Sequence, residues 1–151
     1  MKKMIQRGFT LIELLVVIGI LAVLLAITLV AINPARQFAQ ANNTKRSGDV
    51  NAILNAINQY QTDNAGSLPA GITGVAQNIA NTGADICTAL VPTYIAQLPV
   101  DPTINNGTAL DAADCAAAYD SGYTVVQGAS DNRITVAAPN AELSATIQVT
   151  R

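Results

Sequence analysis

One carboxylate stands out for the chemistry it could do. Glu13 is the only ionisable side chain between Arg7 and Arg36, and the run around it, Leu11 to Ile32, is otherwise apolar. An acid in hydrocarbon must stay near the membrane surface or find a cation, because an unpaired charge at the bilayer centre costs about 2.5–3.5 kcal/mol on insertion scales. Its chemistry is therefore charge pairing. Little else in the chain suggests turnover. There is no histidine, which excludes Ser-His-Asp and Cys-His nucleophilic sites, and no G-x-x-x-x-G-K-[ST] phosphate loop, so any mechanical work needs an external motor.

The element that holds Glu13 sets the rest. As a helix, the 22 residues of Leu11 to Ile32 extend about 33 Å, enough to cross a ~30 Å hydrocarbon core. Lys2, Lys3 and Arg7 precede the run, whereas from residue 65 onward two arginines face seven carboxylates, a net charge of −5. The positive-inside tendency then keeps the N-terminus in the cytoplasm and exports the C-terminal part. The run is too long for a cleaved secretory signal and no A-x-A-like site follows it, so it reads as an uncleaved anchor. An acidic exported surface also argues against nucleic acid as a partner. Outside the cytoplasm disulfides persist, and the even count of two cysteines, Cys87 and Cys115, points to a bridge, with two free buried thiols the alternative. Two thiols without histidine do not make a zinc site.

The segment Gly8-Phe9-Thr10-Leu11-Ile12-Glu13-Leu14, with basic residues before it and the apolar run after it, resembles the processing and assembly motif of type IV pilins and type II secretion pseudopilins. The resemblance implies that a membrane prepilin peptidase cuts between Gly8 and Phe9, that the new N-terminal Phe9 is N-methylated, and that Glu13 sets the register of assembly. Physical reasoning about Glu13 agrees: when subunits bundle and the surroundings dry, the nearest amine of suitable depth is the one freed at Phe9 of a neighbour. Many type IV pilins carry a proline inside the apolar run. Here there is none, and Gly19 is the only weak point.

Beyond the run, Val50, Ile53, Leu54, Ile57 and Tyr60 recur at helical spacing, extending the helix as an amphipathic one. Asn64-Ala65-Gly66 before Pro69 supplies a stop. A single helix from Thr10 to about Asn64 is expected, with a kink at Pro34 and a polar interruption at Thr44 to Gly48. From Ala65 to Asp120 the pattern is a loose Gly, Asn, Thr, Ala and Asp connection, with short helices in alanine-rich pieces such as Asp111 to Ala118 and a rigid Leu98-Pro99-Val100-Asp101-Pro102. That last segment resembles the L-P-x-D-P stretch of major pseudopilins, without the aromatic and glycine that often come after it. Three strands are predicted, Tyr123 to Gln127, Arg133 to Ala138 and Leu143 to Val149, turning at Gly128 to Asn132 and at Pro139-Asn140.

The expected architecture is α+β, the pilin-like fold: a long N-terminal helix, with a membrane half and an amphipathic half, packed on a small antiparallel sheet. The expected parts are a cleaved cytoplasmic leader (1–8), a membrane and filament-core half-helix (9–33), an amphipathic half (34–64) and an exported globular part (65–151). The expected function is that of a structural, non-enzymatic subunit of a type IV pilus-like filament. The alternatives are a major pseudopilin of a type II secretion system or a minor adhesive or DNA-uptake pilin. Its partners would be identical subunits, the prepilin peptidase, an inner-membrane platform with an external ATPase, and the lipid bilayer before assembly. Its final place would be a cell-surface or extracellular filament. No cofactor and no metal site is expected. Calcium stays open through the resemblance alone, for although Asp101, Asn105, Asn106, Asp111 and Asp114 cluster in sequence, Thr103 and Asn106 violate the EF-hand pattern.

Overall fold

The computed structural model describes residues 8–151, so all of the expected leader except Gly8 lies outside the described residues. The chain divides into two compact units, one ending at Phe38 and one running from Ala39 to Arg151.

In the first unit, Leu11–Ile32 form helix α1, unbroken through Gly19. The helix does not continue into the next element through a kink at Pro34. It stops at Asn33, which adopts a left-handed backbone with φ 46°, and Pro34 opens helix α2, Pro34–Asp63. A residue before proline is steered away from helical geometry, asparagine tolerates the left-handed region, and proline suits a first helical position. Asn33 also caps the start of α2: its carbonyl accepts from the Arg36 and Gln37 amides at 3.1 and 3.4 Å, and its Oδ1 accepts from the Arg36 amide at 3.3 Å.

In the second unit, α2 runs through Thr44 to Gly48 without interruption and buries Val50, Ile53, Leu54 and Ile57 completely. The helix ends in a Schellman-type turn, the Gly66 amide donating to the Gln61 carbonyl at 2.8 Å. The first left-handed residue of this turn is Ala65, φ 53°, ahead of Gly66 at φ 87°. A β-carbon is disfavoured there. Ala65→Gly is therefore expected to stabilise the unit by about 0.5–1 kcal/mol, read as a raised urea midpoint at unchanged slope.

The sheet has four antiparallel strands in the order β1 (Gln77–Ala80), β2 (Asp120–Gln127), β3 (Ile134–Ala137) and β4 (Gln148–Thr150). Two expectations need correction. Strand β1 lies inside the stretch expected to be a connection. It pairs with β2 through Gln77 opposite Val125, and its turn closes where a β-carbon on Gly83 would collide with the Asn78 carbonyl. Conversely, most of Leu143 to Val149 is not strand. Leu143 and Ser144 are left-handed, φ 58° and 55°, the Ala145 amide closes a turn onto the Glu142 carbonyl, and pairing begins only at Gln148.

Tyr123 and Val125 of β2 and Ile134 and Val136 of β3 share one core with the α2 stripe. A short helix α3, Cys87–Leu90, and a 3₁₀ turn, Asp114–Ala116, are joined by the Cys87–Cys115 disulfide, Cα–Cα 5.4 Å. The Tyr119 hydroxyl donates to Asp85 at 2.8 Å and accepts from the Cys87 amide at 3.2 Å. Burial pushes this phenol well above its usual range, and Asp85 adds to the shift. The bridge closes a loop with a sequence separation of 28, which in the chain-entropy model stabilises the unit by about 3.5 kcal/mol. Reduction, or Cys87→Ser with Cys115→Ser, is expected to lower the urea midpoint by that equivalent. An unchanged midpoint would assign the bridge no stabilising role.

Candidate processing and assembly site

Gly8, Phe9 and Thr10 precede α1 outside any helix or strand, and all three are exposed; Thr10 has φ −83° and ψ 152°. The residues on either side of the expected cut are therefore outside regular structure and exposed, as access by a peptidase requires.

Helix α1 starts with a reciprocal cap. Thr10 is the N-cap and Glu13 the third helical residue. The Glu13 carboxylate accepts from the Thr10 amide at 2.8 Å and from the Thr10 hydroxyl at 2.7 Å, while Thr10 Oγ1 accepts from the Glu13 amide at 3.3 Å. The T-x-x-E spacing carries this capping box in plain view, a role for Glu13 in addition to the charge pairing expected of it. The cap answers how a lone chain keeps an acid at the mouth of an apolar helix: its own backbone amide and hydroxyl both donate to Oε2. From Leu11 to Ile32 no side chain is buried, and mean hydropathy reaches 3.2. The helix thus presents apolar surface on every side, for lipid or for other helices.

A second polar centre lies in the unit from Ala39 to Arg151. Arg46 is fully buried. Its Nε and Nη2 donate to the two oxygens of Asp101 at 2.8 and 3.1 Å, and its Nη1 donates to Glu142 Oε2 at 2.8 Å and Asn43 Oδ1 at 3.0 Å. Asp101 is fully buried too, and it accepts additionally from the Thr103 amide and hydroxyl at 2.9 and 2.6 Å. Burial alone would raise its pKa, but the bonds from Arg46 and Thr103 outweigh it and hold the carboxyl below its usual range. Glu142 is also held low, first by Arg46 and then by Asn42. Asn43 pins the same residue by its backbone, donating to the Glu142 carbonyl at 2.8 Å and accepting from its amide at 2.9 Å.

One turn further along α2, Asp49 accepts from Lys45 Nζ at 2.9 Å and from the Tyr123 hydroxyl at 2.6 Å, and Lys45 also reaches the Val100 carbonyl at 2.9 Å. Gly122, φ 75°, makes room beside this cluster: a β-carbon there would come 2.9 Å from Asp101 Cβ and 2.5 Å from Ile104 Cδ1. The polar stretch at Thr44 to Gly48 is thus a cluster that ties helix α2 to the Leu98–Pro102 segment and to the turn before β4.

The remaining acids of the calcium pattern are occupied locally. Asp111 accepts from the amides of Ala113 and Asp114, and Asp114 accepts from the Asp111 amide. Asp111 lies below its usual range because of these bonds, the pairing with Asp114 first. Among the described residues no three His, Cys, Asp or Glu side chains converge as a metal site.

Against known families, residues 3–29 match the model described as the prokaryotic N-terminal methylation motif, the leader signature of type IV pilins and pseudopilins. No curated protein and no solved structure matches the chain. With that signature, the long apolar helix, the second helix and the small antiparallel sheet make an α+β, pilin-like arrangement.

Proposed function

We propose that this chain, a type IV pilin- or pseudopilin-like subunit by its leader signature, is cut between Gly8 and Phe9 by a prepilin peptidase, N-methylated at Phe9 and polymerised through α1. The observation that carries the reading is the coincidence of three features over one short stretch. The methylation motif covers residues 3–29, Gly8 to Thr10 lie outside any helix or strand and are exposed, and the only ionisable group of the apolar helix sits in its first turn. Before assembly the subunit is anchored by Leu11–Ile32 with its N-terminus in the cytoplasm. After assembly the same surface is packed by sister helices, and Glu13 leaves Thr10 for the amine of a neighbouring Phe9. Growth draws on an inner-membrane platform and an external ATPase.

Leu98-Pro99-Val100-Asp101-Pro102 favours a second reading, a type II secretion pseudopilin, because its resemblance to the pseudopilin stretch falls on buried Leu98, Val100 and Asp101. Shearing cells and probing the released fibres for this chain tests the proposal. A filament subunit is recovered in long fibres for a surface pilus, or in short periplasm-bound ones for a pseudopilus. A chain found only as dispersed membrane protein under conditions that produce fibres overturns both readings.

A further inference from the structure

The protein has two phenylalanines, Phe9 and Phe38, and they bracket the apolar helix. Its tyrosines are all used in the core: Tyr119 and Tyr123 are buried, and Tyr60 and Tyr94 pack against it. Phe38 instead stands 71% exposed and Phe9 79%. Two residues before Phe38 is Arg36, the first cation after the helix. The ion pairs among the described residues engage Lys45, Arg46 and Arg133 and leave Arg36 out.

Depth gives these two side chains a common setting. The 22 residues of α1 extend about 33 Å against a ~30 Å hydrocarbon core. From Phe9 to Phe38 is 29 residues, about 44 Å at helical rise per residue, against about 40–45 Å between the outer limits of the two headgroup layers. With Phe9 at the cytoplasmic interface, Phe38 reaches the opposite one. An aromatic ring is favoured at that level, and an arginine can lay its stem along apolar surface while its guanidinium takes a bidentate phosphate.

We propose that Arg36 and Phe38 form an outer-leaflet anchor on the unassembled subunit, the ring in the interfacial layer and the guanidinium on a lipid phosphate. The proposal rests on reading Leu11–Ile32 as a membrane span, and its surface is continuous with that span. The anchor fixes the depth of the helix, and so the depth at which Gly8 and Phe9 meet a membrane peptidase. It is released when the subunit is drawn into a filament.

The native chain has no tryptophan, so single-tryptophan variants report depth cleanly. Full-length Phe38→Trp and Leu24→Trp are reconstituted at low protein-to-lipid ratio. The vesicles contain phosphatidylcholine with phosphatidylglycerol, and lipids brominated either near the headgroup or deep in the acyl chain. Expected are blue-shifted emission at position 38 and a shallow-to-deep quenching ratio about twofold or more above that at position 24, as for an interfacial aromatic. Arg36→Gln in the Phe38→Trp background is expected to reduce shallow quenching, most in vesicles rich in phosphatidylglycerol. Deep quenching at 24 with water-like, unquenched emission at 38 overturns the anchor and leaves the span standing. No quenching at either position removes the span and the anchor with it. A blue shift at 38 that appears only at high protein-to-lipid ratio assigns Phe38 to a second copy of this chain and also overturns the anchor.

Discussion

Glu13→Gln is expected to leave the chain inserted and cleaved after Gly8 while filament yield falls to background. Glutamine can still reach back to the Thr10 amide, since the capping box works with Glu or Gln, so the start of α1 survives. It cannot neutralise an amine. In the proposed bundle the carboxylate would pair with the amine of a neighbouring Phe9, and removing one member of a buried pair costs about 3–5 kcal/mol. That is a loss of roughly two to four orders of magnitude at each contact. Thr10→Ala makes the reciprocal change: it removes the 2.7 and 3.3 Å hydroxyl bonds, costs about 1 kcal/mol at the helix start and keeps the charge, so filaments persist. Membrane fractionation, intact mass and electron microscopy of sheared fibres read the three steps separately. Wild-type fibres from Glu13→Gln would sink the pairing role.

The second large effect is at Arg46. Arg46→Ala strands Asp101, fully buried, without its cation, and is expected to destabilise the unit from Ala39 onward by about 3–5 kcal/mol. Against a total of about 5–15 kcal/mol for a domain this is a large share. The pair Arg46→Met with Asp101→Leu is expected to recover most of the loss, because it removes both charges. Glu142→Gln costs far less: its side chain is 36% exposed, and water screens it. Urea unfolding of the detergent-solubilised chain gives all three values. The pH dependence has a definite sign. Asp101 and Glu142 titrate below their unfolded values, so their contribution is complete above the ordinary carboxylate range and is lost as pH falls through the folded values. Glu142→Gln is therefore expected to flatten the acid limb of the stability curve.

Legibility in the sequence tracks physical locality. The apolar run, the Val50–Ile57 stripe and strands β2 and β3 are carried by periodicity within a few residues of each other, and each lies where that pattern puts it. Strand β1 is four residues, Gln-Asn-Ile-Ala, with one strong strand former; its identity comes from pairing with β2, some forty residues away. The Leu143–Val149 alternation is persuasive locally but loses to the anchoring of Glu142 by Arg46, Asn42 and Asn43, about a hundred residues upstream. The same distance hides the Arg46 cluster, because a basic residue on a helix reads as solvated until Asp101 and Glu142 are folded against it. At Asn33 and at Thr10–Glu13 the signals are local and legible: asparagine before proline, and threonine three residues before glutamate.

Processing separates a junction at Gly8 and Phe9 from a mere entry to an anchor. The most direct measurement is the intact mass of the chain extracted from membranes and from sheared fibres. Loss of Met1 to Gly8 and the addition of one methyl group on Phe9 are expected. A chain that still carries Met1 to Gly8 in both fractions, or one cleaved beyond Ile32, would contradict it.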